Sequence, residues 1–258
     1  MQQQKKSIQQ KVIVIMKSRL FKINEIPVGF NKAKNIITVI LIAIMFSISE
    51  PLVMGSVADT SQWRQLFNGK DLTGWKHVGP GSHYVEDGLI KSHGGMGLLY
   101  WQGEKFGNCD IRIVFRMRDE NSNSGIFIRV PVEPREEWMP IHYGYEVQID
   151  NKPELSDEDE YHYTATVYSL TKPMAKVGKP GPEWNTIEIT LDGSRTIVFL
   201  NGVKVTDYTE GDWVPERKFD FEPIRGPRSD SGYMGIQNHG DTDVVFFKEI
   251  AVKPLKKK

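Results

Sequence analysis

The chain of 258 residues has one cysteine, Cys109, which excludes an intramolecular disulfide, a cysteine-rich metal site and a paired-thiol redox centre. Cys109 opens a strand of alternating apolar residues, where a small core side chain is the expected role rather than a catalytic thiol. Windows of helical period are nearly absent beyond residue 59, so a helical or α/β fold is excluded. Net charge is absent too, with 33 basic against 33 acidic residues. No HxH or HExxH spacing occurs, and the acidic run Asp157-Glu158-Asp159-Glu160 lacks the spacing and glycine of an EF-hand, so it reads as a solvated loop.

What charge there is lies unevenly. Residues 1–58 carry eight basic and two acidic residues, a net +6, which leaves −6 on residues 59–258. That balance argues against a nucleic-acid partner and for a neutral ligand. The uncharged run Ile36–Ile48, preceded by Lys32 and Lys34, has the length of a signal-peptide h-region and is short for a membrane span. Ser56-Val57-Ala58 supplies small residues for cleavage before Asp59. Residues 1–58 are therefore expected to be a basic extension with a signal peptide, and residues 59–258 one exported domain that meets the membrane only during export. Initiation at Met16 would shorten the long n-region, and an uncleaved anchor is the competing reading. The closing Lys256-Lys257-Lys258 reads as a solvated tail.

What is there is strand and turn. Tyr143, Tyr145, Val147 and Ile149 alternate with Gly144, Glu146, Gln148 and Asp150, so one face of a strand is built for burial and the other presents Glu146, Gln148 and Asp150 together. Ser124–Val130 buries Ile126, Ile128 and Val130 and turns Phe127 and Arg129 the opposite way. Asp110–Arg118 alternates as a half-buried antiparallel strand. Asp87-Gly88 marks a two-residue hairpin, and Asp192-Gly193 and Asn201-Gly202 punctuate a three-stranded meander between Trp184 and Val205. Pro131–Pro140 is a long loop carrying Trp138, Lys172–Pro182 is a second loop, and residues 232–240 and 244–252 form a closing pair of strands. Many short strands with negligible helix predict an all-β fold, an antiparallel β-sandwich of jelly-roll type. Trp75, Trp101 and Trp184 are assigned to its core.

Six blocks in order carry a resemblance: residues 66–75 (LFNGKDLTGW), 124–129 (SGIFIR), 144–149 (GYEVQI), 183–185 (EWN), 200–202 (LNG) and 236–240 (IQNHG). With them the chain, over about Trp63 to Leu255, resembles the 3-keto-disaccharide hydrolase domain family. The resemblance implies a concanavalin A-like sandwich and action on glycosides oxidised at C3. Two positions depart from the family pattern. Ala165 follows Thr164 where the family more often has glycine, which bears on loop shape, and Phe247-Lys248-Glu249-Ile250 replaces Phe-Arg-Asn-Ile, which bears on the surface.

A ketone at C3 acidifies the C2 proton, so a base can remove it, expel the C1 aglycone and let water add back. That chemistry needs a base at C2, a donor at the enolate oxygen and an acid at the leaving oxygen. Glu146 and His239 are expected to transfer protons and Arg129 to bind the keto or enolate oxygen, an assignment the resemblance raises because all three sit in its blocks. Gln148, Asp150 and Gln237 are candidate hydroxyl partners, and Tyr168, Trp138 and His142 candidate groove walls for a sugar ring. The competing structural readings are a Glu146–Arg129 ion pair joining two strands and a turn role for His239. A divalent metal on Glu146 and His239 would assist enolisation, but no ligand spacing supports one, and none is assigned. Two other functions stay open: a non-catalytic, lectin-like carbohydrate-binding module, and a glycosidase with two carboxylates. For the latter, Glu146 and Asp150 lie about 13 Å apart on one extended strand, too far for either mechanism. The aglycone and the oligomeric state are not legible in the sequence.

Overall fold

The computed structural model describes residues 63–153 and 160–255. The expected leader and its cleavage point, the acidic residues 157–159 and the lysine tail lie outside the described residues.

Alternation builds the sandwich. In β6 (Cys109–Met117) every odd-numbered residue is buried and every even one half-buried, the pattern of a strand with a single face on a core. β6 sits between β9 (Asn185–Asp192) and β13 (Val245–Pro254), and β9 continues through β10 (Arg195–Leu200) to β11 (Val203–Thr209). On its other side β13 carries β4 (Leu89–His93), then β3 (Ser82–Glu86), along one half, and the short β1 (Arg64–Gln65) along the other. The expected hairpins form as read: Asp87 and Gly88 close β3 onto β4 with φ of 52° and 76°, the positive values that a type I′ turn requires. All strand pairs of this eight-stranded sheet are antiparallel.

The opposing sheet runs β2 (Trp75–Val78), β5 (Gly97–Trp101), β12 (Tyr233–Asn238), β7 (Ser124–Val130) and β8 (Tyr145–Ile149), also antiparallel. Ile111, Ile113 and Phe115 from the first sheet meet Ile126, Val147, Ile149 and Ile236 from the second, all fully buried, in one core. Each such side chain contributes about 1.5–3 kcal/mol, so this layer dominates the stability of the fold. Cys109 belongs to the same core, and its burial pushes the thiol up to about 12, a packing cysteine rather than a reactive one.

Three expectations about elements change. The two closing strands do not pair: β12 lies in the five-stranded sheet and β13 in the other, so the turn between them crosses the sandwich. The strand expected from Tyr143 begins at Tyr145, because α1 (Met139–Tyr143) precedes it and leaves Tyr143 49% exposed. A proline in the first turn starts that helix, and Gly144, in extended backbone, ends it by donating its N–H to Pro140 O. Trp184 is not core. It stands on the outer face of the eight-stranded sheet under the guanidinium of Arg116 and the ammonium of Lys248, whereas Trp75 is buried and Trp101 packs edge-on against it at 5.5 Å.

Candidate active site

The outer face of the five-stranded sheet carries the site. Because Tyr145, Val147 and Ile149 enter the core, Glu146 and Gln148 of β8 face away from it, and by the same alternation Gln237 of β12 does so beside Met234 and Ile236. Residues 164–168 extend this floor along the free edge of β8, with Tyr168 N–H donating to Glu146 O and Ala165 N–H to Gln148 O, both at 2.8 Å. Ala165 takes φ 70° there, so it adopts the left-handed backbone that glycine would favour and the loop keeps its shape at a cost of about 1–2 kcal/mol.

Above this floor lies a cavity of about 290 Å³. Glu146, Gln148, Asp150, Gln237, His239, Tyr168 and Trp138, all expected in the site, line it together. Met96, Asn123, Ile141, Pro153, His162 and Phe221 line it as well. The ring of His162 stacks on Tyr168 at 4.6 Å, which sets the wall on the β8 side.

Glu146 is the central group. It is 6% exposed, its carboxyl has no hydrogen-bond partner among the described residues, and burial pushes its pKa up to about 8, with the nearby His239 pulling it partly back. The carboxyl lies against Gly125: a Cβ there would overlap Glu146 Oε1 and stand 2.7 Å from Cδ. Glycine in the Ser124-Gly125-Ile126 block is thus the space that Glu146 occupies.

His239 sits on the turn after β12 with its side chain 41% exposed. Its Nδ1 is 2.8 Å from Asp243 Oδ2, and Asp243 Oδ1 accepts the Asn123 N–H at 2.9 Å. Burial alone would lower the imidazole pKa, but the hydrogen bond and charge of Asp243, with the charges of Glu146 and Asp150, outweigh it and raise the value. Asp243 therefore fixes the ring and leaves Nε2 for a ligand. Asp150 Oδ1 accepts the Lys152 N–H at 2.8 Å, and Oδ2 accepts from Asn123 Nδ2 at 3.4 Å.

Three buried amide oxygens at the cavity, Gln148 Oε1, Gln237 Oε1 and Asn123 Oδ1, have no partner among the described residues. A buried polar atom left so costs about 1–3 kcal/mol, which a hydroxyl-bearing ligand or water would relieve.

Arg129 and His142 fall elsewhere. Two residues of β12, Tyr233 and Gly235, face Val130 and Phe127 of β7, so β7 carries an extra residue, and Arg129 takes φ 56° at that bulge. The bulge reverses the alternation. Val130 joins Phe127 on the outer face, and Arg129, 1% exposed, turns inward to donate to the carbonyls of Ser229 and Gly193. It neither reaches the cavity nor pairs with Glu146. His142, on α1, places Nε2 3.1 Å from Asp220 O and braces a loop instead of facing a sugar.

Among the described residues no group of three or more His, Cys, Asp or Glu converges as a metal-binding set.

A family profile matches residues 62–253: the 3-keto-alpha-glucoside-1,2-lyase-like domain. The chain belongs to that family. Among solved structures, a candidate glycosyl hydrolase from Parabacteroides distasonis is 27% identical with a TM-score of 0.63, the alignment covering 76% of this chain and 95% of that one. A second from the same organism is 23% identical with a TM-score of 0.61, covering 75% and 99%. A Bacillus subtilis protein of unknown function with a galectin-like fold, 11% identical at a TM-score of 0.55 over 76% and 96%, shares the fold. No curated protein matches the sequence. The family and the 27% identical neighbour together make this a glycosyl-hydrolase-like protein.

Asp243, Asn123, His162 and Phe221 were not singled out from the sequence. Asp243 stands four residues beyond His239 in a turn, and only the fold brings its carboxylate back onto the ring.

Proposed function

We propose that the protein cleaves 3-keto-glycosides by removing the C2 proton, expelling the C1 aglycone and adding water across the resulting double bond. One observation carries this reading: a buried carboxyl without a hydrogen-bond partner, raised to about 8, beside an imidazole held by a carboxylate. Such a carboxylate, once ionised, is a far stronger base than an ordinary glutamate, which suits a carbon acid better than a glycosidic displacement.

In this mechanism Glu146 takes the C2 hydrogen as the C2–H electron pair moves toward the C3 ketone. The amide N–H groups of Gln148 and Gln237 meet the enolate oxygen, the role expected of Arg129. The electron pair then returns to form C1=C2 as the C1–O bond breaks, and His239, as imidazolium, protonates the leaving oxygen. Water then adds its hydroxyl to C1 as His239 takes its proton, and the Glu146 carboxyl, its proton by then exchanged with solvent, protonates C2. Asp150 orients sugar hydroxyls. The working form thus pairs a carboxylate with an imidazolium, so activity falls toward both acid and alkaline pH with limits that belong to the coupled pair. The substrate is a neutral sugar met after export.

Release of alcohol or sugar from a 3-keto-disaccharide and from its unoxidised parent tests the reading. Release from the keto compound alone, lost in Glu146→Gln, supports it. Saturable binding of both compounds without release from either would place the protein among non-catalytic carbohydrate binders.

A further inference from the structure

Three polar side chains form the floor of the cavity and two large aromatic ones stand at its mouth. Glu146, Gln148 and Gln237 are 6% exposed or less and form its floor. Trp138 and Phe221, 38% and 40% exposed, stand at its mouth, with Met96, Ile141 and Pro153 also lining it. Phe221 is backed by Phe219, itself 43% exposed, in a parallel stack at 4.9 Å and 9°. Large aromatic faces left in water at the entrance of a hydrogen-bonding pocket mark a contact surface.

The surface is held rigid. Asp220, between the two phenylalanines, is fixed through its carbonyl by His142 Nε2 at 3.1 Å, and Arg217 Nε donates to Glu222 O at 3.0 Å. Arg228 Nε donates to Gly144 O at 2.8 Å, joining the same loop to the end of α1. Pre-organised aromatic faces bind flat ligands with little loss of freedom.

At about 290 Å³ the cavity lies at the bottom of the roughly 300–1,000 Å³ range of small-molecule sites, room for one sugar ring and not two. The group attached at C1 must then sit at the mouth. Of the polar residues lining the cavity, His239 is the one as exposed as these rings, and its Nε2 serves the leaving oxygen, so the hydroxyls of a second sugar would meet the faces of Trp138 and Phe221. Resting on the elimination reading for the ring in the floor, we propose that the mouth is an aglycone subsite for an uncharged aromatic group, with Trp138 and Phe221 as its determinants.

Benzyl, methyl and glucosyl 3-keto-glucosides test this, since benzyl alcohol and methanol are leaving groups of nearly equal acidity. The benzyl compound is expected to show a KM about ten-fold below that of the methyl compound. In Phe221→Ala, and separately in Trp138→Ala, that advantage shrinks to within about two-fold. Equal KM values for benzyl and methyl, or tighter binding of the glucosyl compound than of the benzyl one, overturns the proposal while leaving the elimination reading intact. If no keto-glycoside is turned over, the elimination reading fails, and calorimetric titration with unoxidised benzyl and methyl glucosides then decides the subsite: tighter binding of the benzyl compound, lost in Phe221→Ala, upholds it, and equal binding overturns it.

Discussion

Asp243 Oδ2 lies 2.8 Å from His239 Nδ1, and this contact fixes the ring of an exposed turn histidine. In Asp243→Asn the ring loses its anionic partner and the charge that raises its pKa. The imidazole pKa should fall, and the pH profile of kcat/KM should shift to lower pH with it. A loss of about 10–100-fold in kcat is expected. A variant that loses activity with an unshifted pH profile would make Asp243 a purely structural residue.

Gly125 sets the position of Glu146. In Gly125→Ala the new methyl pushes the carboxyl aside, which a flexible side-chain end tolerates, so the fold survives while the base moves. Kinetics should show kcat lowered by about 100-fold, because an error near 1 Å is enough. Unchanged kcat would mean that the carboxyl does not need this position.

The raised pKa of Glu146 carries a stability cost with a definite sign. The native carboxyl binds its proton up to about pH 8, whereas the unfolded one releases it near the ordinary value of 4.5. Below that lower value both states are protonated and the cost vanishes; it grows as pH rises and is complete above about 8. Glu146→Gln, which stays neutral, should melt like the parent near pH 4 and increasingly above it toward pH 8.5, by an amount on the order of 5 kcal/mol at full extent. Parallel melting curves across that range would show that the carboxyl is ordinary.

Arg129 is a structural cation. Arg129→Met removes the donors to the Ser229 and Gly193 carbonyls at the end of the sandwich, so denaturant unfolding should show a loss of about 2–4 kcal/mol. Folded enzyme should keep its KM for keto substrate. A large rise in KM at unchanged stability would restore Arg129 to the site.

The fold was legible in residue alternation and turn chemistry, since β6 and the Asp87-Gly88 and Asn201-Gly202 turns obey local rules with no tertiary override. Strand period also put Glu146, Gln148 and Asp150 on one face, and all three line the cavity. It failed at Arg129, where one extra residue at a bulge with positive φ inverts which side faces the core, and no local pattern in Ile128-Arg129-Val130 announces it. It failed at Tyr143 because a single proline-started turn of helix replaces the first two strand positions. The closing strands could not be placed in opposite sheets from sequence, because a crossing turn and a hairpin turn share composition. Asp243 and Phe221 were hidden for a related reason: each reaches the site from an irregular segment whose path the arginine and carbonyl contacts of the folded state determine.

The central claim is that Glu146 removes the C2 proton. Turnover of a 3-keto-glycoside in deuterium oxide, with the position of the label read by NMR, tests it directly. The account predicts deuterium at C2 of the released sugar above the non-enzymatic background, and no incorporation with Glu146→Gln. Release of the aglycone with the original hydrogen still at C2 would contradict it and leave direct displacement at C1 as the chemistry.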